Sequence, residues 1–135
     1  MVIQEFSFGN YRSFKDIQTL NMRTAKIKSK FESIDDNNLI KEAIHKDGSF
    51  LKSKAIYGAN ACGKSNIVKA FVTFLRIIQN SVKDEEILNY VESFKLSTET
   101  ELKPSFFQLI FWIENTRYRY GFELNNKQIS AEWLF

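Results

Sequence analysis

Gly58, Gly63, Lys64 and Ser65 stand at the spacing G-x-x-x-x-G-K-S inside AIYGANACGKSNI, residues 55–67. At average composition those four positions match by chance in roughly one chain in 200 of this length. The chemistry they offer is the gripping of a polyphosphate. A phosphate brings two or more negative charges and many acceptor oxygens, so it needs a ring of donors. Gly58 and Gly63 allow backbone conformations barred to other residues, which turns successive N–H groups inward. A helix starting near Lys64 adds its unpaired amides and the positive end of its dipole. Lys64 reaches the β- and γ-phosphates as a point charge, and Ser65 offers a hydroxyl to Mg²⁺. Asn60, Ala61, Cys62 and Asn66 complete the turn. Asn60 either bends toward the γ-phosphate or tolerates a left-handed conformation. Cys62 either has a redox role or fills a tight loop as a small residue.

Such a turn works only between a strand and a helix. Residues 55–57 are the apolar lead-in, short and preceded by Lys52 and Lys54. Residues 65–81 carry Ile67, Val68, Ala70, Phe71, Val72, Phe74, Leu75, Ile77 and Ile78 at helical spacing and nearly all round, which predicts a helix buried on most sides.

The remaining elements are read from alternation. Val2, Phe6 and Phe8 lie on one face of a first strand, and residues 17–22 form a second, so residues 1–23 predict an antiparallel hairpin. Residues 24–49 read as a polar insertion with Lys26, Lys28 and Lys30, a short amphipathic stretch at 39–44 and the lone His45. Residues 50–81 hold the strand, glycine turn and helix, and 82–104 a polar linker or surface helix. Residues 105–135 alternate through three strands, with turns at Glu114-Asn115-Thr116 and Asn125-Asn126-Lys127. The third strand runs to the last residue, which leads us to expect a domain that continues. The fold class expected is α/β (α+β), a P-loop half-domain with an antiparallel β-subdomain beside a strand–P-loop–helix unit.

The bulk numbers narrow the setting. The chain has 135 residues, 44% hydrophobic and 15% aromatic with 13 Phe, which suits one globular domain. A net charge of +3 is too small a surplus to argue for nucleic acid. One Cys cannot staple the chain to itself, the N-terminus has no apolar signal region, and no run could span a bilayer. A cytoplasmic protein without membrane contact is the expectation.

Half of a hydrolase is missing. Such an enzyme needs an acid on a second buried strand for Mg²⁺ and a residue to place the attacking water. Asp84-Glu85-Glu86 follows no strand, and Glu114 falls in a turn. The guanine-reading N-K-x-D pattern is only mimicked by Asn126-Lys127-Gln128-Ile129, which lacks the Asp.

The stretches EFSFGNYRSFKDIQTLNM, YGANACGKSN with FVTFLR, and YRYGFELNNKQISAEWL together resemble the N-terminal lobe of SMC-like, ABC-type ATPase heads. The likeness is greatest to bacterial AAA-type ATP-binding proteins of the overcoming-lysogenisation-defect (OLD-like) kind, many linked to phage defence or DNA repair; RecF-like heads share the N-Y-R-S-F opening. The resemblance implies ATP and Mg²⁺ as cofactors and adenine near Arg12, Ser13 and Phe14. It also implies a separate C-terminal lobe carrying the signature motif, head-to-head dimerisation, and DNA as a partner. Such heads place a Gln on Mg²⁺ between the lobes, for which Gln108 is the candidate; its alternation with Phe107 and Leu109 points instead to the meander. Two other readings compete. A nucleic-acid-binding module would use Arg117, Tyr118, Arg119 and Tyr120, since aromatics interleaved with Arg on a sheet can stack bases. The tyrosines, however, share a face with Phe122 and Leu124, which reads as core. A small-molecule kinase would need a lid arginine cluster and an acceptor site, and the antiparallel meander does not resemble one.

Overall fold

A computed structural model describes residues 1–25, 29–40, 48–80 and 85–135. In chain order the elements are β1 (Val2–Gly9), β2 (Gln18–Asn21), α1 (Glu32–Asn38), β3 (Leu39–Ile40), β4 (Phe50–Leu51) and α2 (Lys64–Asn80). A 3-10 helix (Glu85–Tyr90), α3 (Thr98–Glu101), β5 (Ser105–Ile113), β6 (Thr116–Leu124) and β7 (Ile129–Leu134) follow. Five strands form one antiparallel sheet in the order β2-β1-β5-β6-β7, and β3 pairs with β4. The opening hairpin and the closing meander are thus one sheet, joined where Phe8 pairs with Phe107 and Phe6 with Leu109.

One face of that sheet is aromatic because alternation places Phe6, Phe8, Phe107, Phe122 and Leu124 on the same side, all buried. Helix α2 lies across them. Phe74 stacks on Phe122 at 5.2 Å between centroids, and Phe71 meets Phe6 edge-on at 5.0 Å. Each ring removed from water contributes about 2–3 kcal/mol, so the sheet and α2 hold each other. A bulge between Ile3 and Glu5 shifts the register of β1. It lets Ile3 pack against the core and turns the buried Gln4 carboxamide to accept from Trp112 Nε1 and Arg117 Nε.

Beyond β1 the chain is fixed by Asn10. It is 8% exposed and left-handed (φ 47°), which asparagine tolerates. Its Nδ2 donates to Thr100 O and Lys103 O, both at 2.8 Å, while its Oδ1 accepts from Phe94 N at 3.1 Å. The Ser105 hydroxyl donates to Asn10 O at 2.6 Å. Asn10→Ala strands several buried main-chain groups at once and is expected to cost about 3 kcal/mol, read as a lower urea midpoint at unchanged slope. Asn10→Asp should be no remedy, since its carboxylate would face carbonyl oxygens.

Several expectations need correction. The helix in the insertion is α1, upstream of the amphipathic 39–44 stretch, and Leu39–Ile40 is a strand pairing with Phe50–Leu51 because both ends of that pair meet apolar partners. His45, Lys26, Lys28 and Asp84 lie outside the described residues. The expected linker is packed rather than polar throughout: Ile87 and Val91 are buried in the core with α2. Residues 53–59 show no strand pairing among the described residues, so the apolar lead-in 55–57 stands exposed, Tyr57 at 91%. Three residues form a strand only with a neighbouring strand to bond, and the five-stranded sheet is joined elsewhere. Helix α2 is likewise buried on one face only, through Ala70, Thr73, Phe74 and Ile77. Val68, Val72, Leu75 and Ile78 are exposed on the opposite side.

Candidate functional site: the glycine turn and the start of α2

The turn begins where the chain must approach itself closely. A side chain on Gly58 would place Cβ 2.6 Å from Cys62 Sγ, so glycine lets Cys62 turn in over it without a shift. Ala61 (φ 62°) and Gly63 (φ 94°) are left-handed, and the second of these conformations belongs to glycine. Cys62 N bonds to Ala59 O at 3.4 Å, closing the loop. The carbonyl of Gly63 then accepts from Asn66 N at 2.9 Å and Ile67 N at 3.3 Å, which starts α2 at Lys64. At such a helix start the first amides have no intrahelical acceptor and point out of the N-terminus.

Lys64 closes the mouth of this turn. Its Nζ donates to Gly58 O at 2.7 Å and Ala59 O at 2.5 Å, and lies 3.6 Å from Cys62 Sγ. An ammonium has three donors. Two carbonyls hold it at the edge of a concavity of about 300 Å³ lined by residues 60–66. No carboxylate lines it, so the local field comes from one lysine and one helix end, both attractive to an anion. Ser65 lines the same concavity.

The sequence-predicted residues divide. Asn60, Ala61, Cys62, Gly63, Lys64, Ser65 and Asn66 meet around one concavity, with Gly58 at its closing edge. Ser13 joins them: its Oγ accepts from Asn66 Nδ2 at 2.9 Å. Arg12 does not. Its Nε bonds to Tyr11 OH at 3.2 Å, and that hydroxyl shares a 3.0 Å bond with Thr73 Oγ1. Thr73 lies about 13 Å along α2 from Lys64, and the Arg12 guanidinium pairs with Glu92 at 2.9 Å. Gln108 accepts from Trp133 Nε1 at 3.3 Å within the sheet, as a meander residue would. Phe14 was the residue whose contact sequence reasoning missed. Its ring packs edge-on against Phe8 and stands 3.0 Å from where a Gly63 Cβ would be. No spacing rule links residue 14 to residue 63, so only the fold reveals it.

Strand alternation splits the basic and aromatic residues of β6. Tyr118 stacks on Phe111 at 5.5 Å, and Tyr120 packs with Phe74 on the α2 side. Burial, with the bond to Glu132, pushes the Tyr120 hydroxyl up to about 12. Arg117 and Arg119 point the other way, Arg119 lying 4.5 Å from the Phe135 ring. The four therefore make no common stacking platform. Among the described residues no cluster of His, Cys, Asp or Glu could hold a metal, and no helix is long and apolar enough to cross a membrane.

The mixed α/β fold, with a glycine turn opening onto a helix buried on one face, fits a P-loop NTPase domain, a class whose glycine turn binds nucleotide phosphates. Residues 55–135 match the family model described as AAA domain, AbiEii toxin-like, of the Type IV toxin–antitoxin (TA) system, and the chain belongs to that family. The match begins at the lead-in to the glycine turn and runs through the whole meander. A search of curated proteins gives no match.

Proposed function

We propose that the chain binds ATP with Mg²⁺ and is the N-terminal lobe of an ABC-type, OLD-like ATPase head serving phage defence or DNA repair in the cytoplasm. The observation that carries the ATP reading is the ring of residues 58–66 with Lys64 Nζ fixed at its mouth by two carbonyls. Main-chain amides of the turn would grip the phosphates, Lys64 would neutralise the β- and γ-oxygens, and the Ser65 hydroxyl is this chain's candidate ligand to Mg²⁺. That small share suits the ion, which keeps several waters and is held largely by phosphates. Held there with the nucleotide, Mg²⁺ would supply the charge compensation that Lys64 alone leaves incomplete.

The uncovered surfaces support a second lobe of the same protein as partner. A P-loop strand is normally hydrogen-bonded on both sides, and α2 carries a second apolar stripe through Val68, Val72, Leu75 and Ile78. A C-terminal lobe bringing strands beside 53–57 would cover both. It would also bring the acid and the water-positioning group for hydrolysis, and two such heads would pair around two nucleotides, with DNA as the object of the work. Alone, the chain binds ATP weakly and turns it over barely or not at all.

Calorimetric titration of the 135-residue chain tests this reading. Saturable heat with ATP and Mg²⁺, weaker with GTP and weaker with EDTA, is the expected result. No heat with either triphosphate overturns it, and robust turnover by this chain alone overturns the need for a second lobe.

A further inference from the structure

The turn at Arg12 and Ser13 is held from more directions than a surface turn needs. Tyr11 and Phe14 exchange both main-chain bonds at 2.9 Å, leaving Arg12 and Ser13 as a two-residue loop. Arg12 sits at φ 50°, in a loop position where glycine is preferred. Such a conformation persists where the surroundings over-determine it. Here Arg12 N donates to Glu92 O at 2.8 Å, and the guanidinium bonds to Glu92 Oε1 and Tyr11 OH. Phe14 anchors the other side of the loop through its edge-on contact with Phe8, at 5.2 Å. The tip so fixed presents one polar atom to the glycine turn. Ser13 Oγ accepts from Asn66 Nδ2 and lies 3.0 Å from where a Gly63 Cβ would be.

We infer that Ser13 is a positioning residue for the phosphate cradle: its hydroxyl, presented by the strapped hairpin tip, fixes the Asn66 carboxamide and the Gly63 main chain and so sets the aim of the amides that grip the nucleotide. The inference rests on the nucleotide reading of the turn and adds to it a control point outside the concavity. Residues 60–66 line that concavity, and Ser13 is not among its lining residues. The affinity of the cradle is tuned from β1, because pre-organised donors bind better than donors that must first be ordered. The same link is reciprocal: nucleotide that orders Gly63 and Asn66 also tightens the tip and its strap to Glu92.

Ser13→Ala is expected to weaken Mg²⁺–ATP binding about five-fold, one hydrogen bond's worth, with the melting temperature unchanged. Ser13→Thr keeps the hydroxyl and restores the affinity. Asn66→Ala gives the same loss, and the double variant binds no more weakly than either single one, since all three remove one link. Additive losses mean that Ser13 touches the nucleotide directly and overturn the positioning role. Full affinity in Ser13→Ala, with the parent chain binding normally, overturns the inference alone. Failure of the parent chain to bind overturns the cradle reading and this inference together.

Discussion

Lys64→Ala is expected to lower ATP affinity roughly a hundred-fold while moving the melting temperature by no more than a degree or two. Charge-assisted hydrogen bonds contribute about 1.5–3 kcal/mol each. The ammonium would turn onto the phosphates the donor that now meets only the weak Cys62 Sγ acceptor, in a concavity lined by no other cation. The variant also releases Gly58 O and Ala59 O, which the ammonium now braces. Those carbonyls face solvent once freed, so the cost falls on binding rather than on folding. Lys64→Arg should not rescue, because a planar fork cannot occupy the place of a compact ammonium between two carbonyls. Titration of both variants against the parent chain, with circular dichroism to show that each is folded, checks the result. Binding that survives Lys64→Ala would remove this turn from the site.

Phe74→Ala carries the largest expected effect on stability, about 3–5 kcal/mol. The ring is fully buried and touches Phe6 on β1 and Phe122 and Tyr120 on β6, three partners on two strands. Rings this closely packed on all sides leave little room for collapse, so the cavity remains and its lining loses contacts outright. Against a total of about 5–15 kcal/mol for a domain, the variant loses a large fraction of its stability. Urea unfolding should show a lower midpoint at unchanged slope. Saturating Mg²⁺–ATP should return part of the loss, because ligand binding to the folded state alone adds stability by mass action. A small shift would mean that α2 and the sheet are not one cooperative unit.

The cradle was legible in the sequence because its chemistry is local: Gly58, Gly63, Lys64 and Ser65 fall within eight consecutive residues, and their types and spacing alone announce the turn. The strands of the meander were legible for the same reason, through period-two alternation. What stayed hidden depends on pairing across the chain. Nothing in VIQEFSFG announces a bulge at Gln4, or that the opening hairpin joins the meander through β5. Phe50 reads as the start of the unit that holds the glycine turn, yet it pairs back onto Ile40 and is fully buried. Alternation alone placed Tyr118 and Tyr120 on the core face, where Tyr120 packs against the core and Tyr118 stacks on Phe111 at its margin. Helical periodicity counts apolar faces but does not supply their partners, so α2 read as buried nearly all round although half of its apolar positions stand exposed. The Ser13–Asn66 and Phe14–Gly63 contacts span some fifty residues and have no pattern to betray them.

The interior place of β1, between β2 and β5, bears on the order in which the molecule can be made. Its inner neighbour is β5, and Phe8 waits for Phe107. At ribosomal speed that interval lasts about 5–20 s. Until then the N-terminal strand leaves the ribosome with a bare hydrogen-bonding edge and an aromatic face, and the glycine turn has no platform to stand on. Folding is therefore non-local, which slows it, and until β5 emerges that edge is open to pairing with the wrong mate.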